Sequence, residues 1–200
     1  MNVTDNKNGA PLEHYCAEYA RRDPQEMSKR TGVEFSDGAF HMTVLSRAAL
    51  VTWPGMEVSI NGVPASPAWR ILLGRFLVEG TIPPAGGRFL AYREMPWGSV
   101  YNTQFTNRCI RRLAASYGSD IGKFAAACET LHGSRVKLGD MAYELELLPG
   151  LKLRLALWEG DDEFPPNAQV LFSDNFPAAF TAEDLAVVGD LTLNAMRGRW

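Results

Sequence analysis

An α+β fold, with a mostly antiparallel sheet built from hairpins and about five to six helices packed on it, follows from three observations. Asp37-Gly38 is a two-residue turn signal between the alternating Val33/Phe35 and Phe40/Met42/Val44. Pro149-Gly150 separates Tyr143/Leu145/Leu147 from Leu151/Leu153/Leu155/Leu157, two runs with one apolar face each. The elements run β-rich, helical, β and then helix, an order in which hairpins outnumber βαβ units.

Residues 1–10 are polar and read as a disordered leader, leaving 11–200 as one α+β domain. Leu12, Tyr15 and Tyr19 recur at helical spacing up to Arg22. Asp23-Pro24-Gln25-Glu26 then starts a second helix: Asp caps, Pro sits first, and Glu lies three after the cap. Gly32 ends it. After the Asp37-Gly38 hairpin, Met56-Val58-Ile60 is a further strand that stops at Asn61-Gly62. Ser66-Pro67 opens the clearest helix, with Trp69, Leu72, Leu73, Phe76 and Leu77 on one stripe and Gly80 at its end. Ile82 to Gly87 is a Pro- and Gly-rich loop, and Phe89 to Arg93 a strand broken by Met95-Pro96-Trp97-Gly98. Two helices follow. One carries Ile110, Leu113, Ala114 and Tyr117; the other starts at Ser119 and carries Ile121, Phe124, Ala125 and Cys128. Past the Pro149-Gly150 hairpin come a short strand, Ala168 to Phe172, and a last helix capped by Thr181, with acids in its first turn. On the exposed face of the hairpin, Glu144 and Glu146 are set to pair with Lys152 and Arg154.

Composition excludes several classes. The net charge is −3, with 46% hydrophobic and 22% charged residues. That balance argues against nucleic acid, whose phosphates demand clustered cations; the densest cluster, Arg108/Arg111/Arg112, reads as a solvated helix stripe. No apolar run approaches the roughly 18 residues that span a bilayer, and the N-terminus has no signal-like core, so the expectation is a cytoplasmic protein without membrane contact. Cys16, Cys109 and Cys128 are far apart, with no CxxC pattern, so no local zinc or iron–sulfur motif exists. No nucleotide-binding fingerprint, Gly-x-Ser-x-Gly elbow or His-Glu-x-x-His is present. Pro84-Ala85-Gly86-Gly87 lacks the Lys-Ser/Thr of a phosphate loop, and His14, His41 and His132 are scattered.

The candidate positions gather around Trp158-Glu159-Gly160-Asp161-Asp162-Glu163-Phe164-Pro165-Pro166. Four carboxylates fall within five residues at a strand end, and two prolines stiffen the exit. Grouped carboxylates suit a hard divalent metal, so Asp161, Asp162 and Glu163 are the candidate ligands, without the spacing of a calcium EF-hand. Two of them at different burial could also serve acid–base chemistry. Against both stands a solvated turn whose carboxylates cap backbone N–H groups. Arg93 and Arg154 are candidate partners, either for loop carboxylates or for an anionic ligand. Trp158, like Trp97, can floor a ligand pocket or anchor its loop to the core.

Several stretches carry a family resemblance: Pro84-Ala85-Gly86-Gly87; Phe89 with Tyr92-Arg93-Glu94; Gly139-Asp140-Met141-Ala142-Tyr143-Glu144; Leu147-Leu148-Pro149; Leu157 to Pro165; Leu171-Phe172-Ser173-Asp174; and Ala182-Glu183-Asp184-Leu185. Through them, residues from about 70 to 188 resemble the uncharacterised prokaryotic domain-of-unknown-function family 3786, and with the β-rich N-terminal part the resemblance covers most of the chain beyond the leader. The resemblance implies an origin in anaerobes and relatives that carry an added cysteine-rich iron–sulfur segment, which this sequence does not show. Two functions are therefore expected as alternatives. One is a non-catalytic accessory or ligand-binding domain of anaerobic metallocofactor or one-carbon metabolism, with a protein partner. The other is a small divalent-metal hydrolase or acid–base enzyme working from residues 159–163. Oligomeric state stays open.

Overall fold

The computed structural model describes residues 9–200, and side chains from residue 12 onward. The expected leader lies outside the described residues except for Gly9 and Ala10, which open the first helix. The elements are α1 (Gly9–Arg21), α2 (Pro24–Thr31), β1 (Glu34–Ser36), β2 (Ala39–Val44), β3 (Arg47–Thr52), β4 (Val58–Ile60), β5 (Val63–Pro64) and α3 (Pro67–Glu79). Then come β6 (Phe89–Ala91), a 3-10 turn (Tyr92–Glu94), α4 (Gly98–Phe105), a π turn (Thr106–Ile110), α5 (Arg111–Tyr117) and α6 (Ile121–Glu129). The chain closes with β7 (Ser134–Val136), β8 (Met141–Leu148), β9 (Leu151–Trp158), β10 (Asn167–Ser173), α7 (Phe176–Ala179) and α8 (Ala182–Ala195).

The fold is α+β, as the hairpin signals indicate, but it holds two five-stranded sheets rather than one. The first is a simple meander, β1-β2-β3-β4-β5; the second has the order β6-β10-β9-β8-β7, and every pairing is antiparallel. Asp37-Gly38 makes its turn with φ of 50° and 73°. The next turn, Leu45-Ser46, does the same with φ of 45° and 63°, although neither residue is Gly or Asn. That unsignalled turn is why β3, with its Ala48-Ala49, goes unnoticed in the sequence.

The two sheets meet at this turn. Leu45 N–H donates to the Leu147 carbonyl of β8 at 3.0 Å, and Ser46 Oγ donates to the Leu131 carbonyl at 3.1 Å. α3 is central: Trp69, Leu72, Leu73, Phe76 and Leu77 are all buried, and the helix packs against both α1 and α8. One contiguous core runs from Phe40 and Val51 in the first sheet to Leu153 and Phe172 in the second. Among the described residues no helix is long and apolar enough to cross a membrane.

Helix caps behave as their chemistry dictates. Asp23 accepts from Gln25 N–H, and Thr181 and Asp184 satisfy each other's backbone in a capping box. Asp184 also receives Arg75 at 2.7 Å in a pair whose side chains are 7% and 16% exposed, respectively. On the outer face of the second sheet, both Lys152 and Arg154 reach Glu144, at 3.0 and 2.9 Å. Glu146 turns instead to the Gly150 N–H at 2.9 Å. Arg108 and Arg112 are not an idle stripe: both pair with Asp190 of α8.

Candidate functional site

The seam between the sheets opens into a cleft of about 590 Å³. One wall comes from the first sheet: the α2 exit (Thr31, Gly32, Val33), Glu34 of β1, and His41, Met42 and Thr43 of β2. The opposite wall is the loop Ile82-Pro83-Pro84-Ala85 and the β8–β9 turn Leu148-Pro149-Gly150, with Phe76 of α3 beneath. The volume falls in the range of small-molecule sites, about 300–1,000 Å³, and the lining has the usual character of apolar walls with few polar groups.

The sequence builds those walls stiffly. Gly32 takes φ of 72° at the end of α2, so the chain turns sharply into β1. Because Glu34 pairs with His41 and side chains alternate along a strand, Glu34, His41 and Thr43 share one face. On the other side, three consecutive residues at the end of β10, Ser173 to Asn175, act as a clamp. Asn175 is buried; its amide donates to the Pro83 carbonyl at 2.8 Å and to the Gly150 carbonyl at 2.9 Å. Its side-chain oxygen accepts from Ser173 Oγ at 2.6 Å, and that hydroxyl accepts from Lys152 N–H at 3.2 Å. Asp174 accepts from Gly86 N–H at 2.8 Å, and its own N–H donates to the Arg88 carbonyl at 3.0 Å. One side chain, Asn175, therefore ties the proline loop to the β8–β9 turn.

The polar groups of the cleft are spare. Among the described residues, Glu34 accepts only from Ser36 Oγ, at 3.2 Å. His41 Nε2 lies 3.3 Å from the Ser36 carbonyl. Thr31 Oγ1 is committed to the Met27 carbonyl at 2.7 Å. This set can recognise a ligand by one carboxylate, one imidazole and one free hydroxyl. It does not assemble a nucleophile hydrogen-bonded to a base, the arrangement that covalent catalysis needs.

The acidic loop is a different object. Asp161, Asp162, Glu163 and Glu159 are all exposed. Asp161 folds its carboxylate onto its own turn, accepting from Glu163 N–H at 2.9 Å and Phe164 N–H at 2.7 Å, and these bonds, Phe164's foremost, hold its pKa below the usual aspartate value. Asp161 N–H in turn donates to the Phe164 carbonyl at 2.9 Å, closing the loop on itself. Among the described residues no three His, Cys, Asp or Glu side chains converge to hold a metal ion, so the expected grouping of Asp161, Asp162 and Glu163 as ligands is not formed. Exposure to high-dielectric solvent lowers the electrostatic cost of adjacent carboxylates, and backbone donors lower it further at Asp161.

The arginines do not join that loop. Arg154 sits between Glu144, at 2.9 Å, and the Phe89 ring, whose centroid is 3.7 Å from its guanidinium carbon. Arg93 is exposed on the 3-10 turn and forms no ion pair among the described residues. Trp158 is half-buried and, with Asp140, Glu159, Phe164 and Pro166, borders a shallow groove. Trp97 neither floors a pocket nor anchors its loop; it is 78% exposed.

The seam cleft went unread in the sequence because its walls come from five separate stretches. The signals that could have found it were the paired prolines of residues 82–87 and a run of Ser, Asp and Asn between Phe172 and Phe176, polar residues in an otherwise apolar stretch. Three of the stretches that carry the family resemblance, Pro84 to Gly87, Leu147 to Pro149 and Leu171 to Asp174, supply or hold those walls.

The family described as "Domain of unknown function (DUF3786)" matches residues 23–195, most of the chain. No curated protein and no solved structure matches the chain.

Proposed function

Because the chain belongs to the DUF3786 family, whose description assigns no activity, we propose its function from its geometry: a non-catalytic module that binds a small, largely apolar ligand in the seam cleft. The observation that carries this reading is the Asn175 clamp. A buried amide that bonds two separate wall segments holds a cavity of about 590 Å³ open and shaped, and pre-formed walls spare a ligand the cost of ordering them. The setting in anaerobic metallocofactor or one-carbon metabolism, with a protein partner, belongs to this reading through the resemblance alone. The alternative, a divalent-metal or acid–base enzyme using residues 159–163, draws no support from a self-capped, exposed turn.

A fragment screen by thermal shift tests the reading, run on the natural chain and on Thr43→Trp. Thr43 is exposed on a strand, so tryptophan is tolerated there and fills the cleft mouth. The expected result is a set of stabilising fragments whose effect is lost in the variant. Fragments that stabilise both proteins equally would place binding elsewhere and refute the cleft.

A further inference from the structure

We infer that the ligand of the seam cleft is an apolar body carrying a cationic, amine-type head; this rests on the cleft being the binding site. The Asp, Glu, Lys and Arg charge of the cleft is one-sided. Among its lining residues, Glu34 is the only Asp, Glu, Lys or Arg. A second carboxylate, Glu146, bonds the Gly150 N–H of the lining turn. Its cross-strand neighbour Lys152 is engaged by Glu144, at 3.0 Å. Arg30, next to the wall residue Thr31, is committed to the carbonyls of Gly80, at 3.1 Å, and of Leu77. Among the described residues no Lys or Arg therefore neutralises the polar end of the cleft from its walls, and the imidazole of His41, cross-strand from Glu34, is the other titratable group there.

The lining also offers acceptors. The Glu34 carboxylate takes only one hydroxyl, from Ser36, and keeps lone pairs for a ligand. Thr43 Oγ lies on the same strand face as His41, directly along from it. An ammonium, with three donors and no acceptor, fits a carboxylate with free lone pairs, whereas a carboxylate ligand would meet like charge. The remaining walls, Val33, Met42, Phe76, Ile82, Pro83 and Leu148, ask for a hydrocarbon body.

Titration of the full chain with hexylammonium, hexanol and hexanoate, followed by backbone NMR at Glu34, Met42, Thr43 and Gly150, separates the possibilities. One partly solvated ion pair predicts that hexylammonium binds about two- to fivefold more tightly than hexanol, with hexanoate weakest. In Glu34→Gln the ammonium and the alcohol become equal; Glu34 is exposed and its loss leaves the fold intact. Equal binding of all three probes to the cleft, or preference for hexanoate, overturns the cationic ligand while leaving the cleft as a binding site. If no probe moves the cleft resonances, both readings fall.

Discussion

Asn175→Ala removes the clamp and leaves its partners behind. The side chain is 6% exposed and makes three hydrogen bonds: to the Pro83 and Gly150 carbonyls, and from Ser173 Oγ. At about 1 kcal/mol net for each bond lost, the variant is less stable by about 3 kcal/mol. With a urea m-value of about 2 kcal/mol/M, the unfolding midpoint falls by about 1.5 M. For a chain of this length the melting temperature drops by about 6–12 °C. The loss has a second signature, because among the described residues no other side chain bonds both the proline loop and the β8–β9 turn. Ligands of the cleft therefore bind more weakly in the variant even at temperatures where it is fully folded. Urea unfolding gives the first number, and a binding titration the second. A loss below about 0.5 kcal/mol with an unchanged m-value would show that these bonds do not hold the walls, and would refute the reasoning.

Three other outcomes follow from the same structure. Asp184→Asn strands the Arg75 guanidinium in a nearly buried site, and urea unfolding should show a loss of about 3–5 kcal/mol, far beyond that of any exposed carboxylate. The thiols should differ in reactivity: burial raises the pKa of Cys109 to about 12 and pushes Cys128 up as well, so mass spectrometry after brief alkylation at pH 8 should find the half-buried Cys16 modified first. Asp161 is held in its charged form by the Phe164 and Glu163 amides, so its folded pKa lies below its unfolded one; the stability it contributes is present above the unfolded value and is lost as pH falls through the folded one. Carboxyl NMR should show it titrating below an ordinary aspartate, and Asp161→Asn should remove that acid-side loss without changing binding in the cleft.

Local signals in the sequence translate well into local structure. Asp23-Pro24, Asp37-Gly38, Pro149-Gly150 and Thr181 mark caps and turns where the structure has them, because each uses chemistry contained in a few adjacent residues. Glu144 and Arg154 pair as alternation requires, since register fixes which side chains face each other. What escapes is set by tertiary context. β3 follows a turn whose positive φ values fall on Leu45 and Ser46, and β7 is three residues long, so neither leaves a pattern. The helix expected around Ile110 begins earlier, at Gly98, because a Cβ there would strike the Tyr92 carbonyl and only glycine lets α4 start against the 3-10 turn.

The candidate site shows the same division more sharply. A dense acidic run is conspicuous in a sequence, yet its conspicuousness is also what exposure produces: its side chains lie at the surface, and the backbone of residues 163–164 satisfies Asp161. The cleft is the reverse. Its residues are individually plain, and only the docking of the Leu45-Ser46 turn onto β8 brings Met42, Ile82 and Leu148 around one space.

The seam cleft as the binding site is tested most directly by side-chain methyl NMR during a fragment screen of the natural chain. Binding there shifts the methyls of Met42, Ile82 and Leu148 together and leaves Leu138 and Val100, on other parts of the surface, unmoved. Shifts confined to Leu138 or Val100, with the three cleft methyls silent, would contradict it.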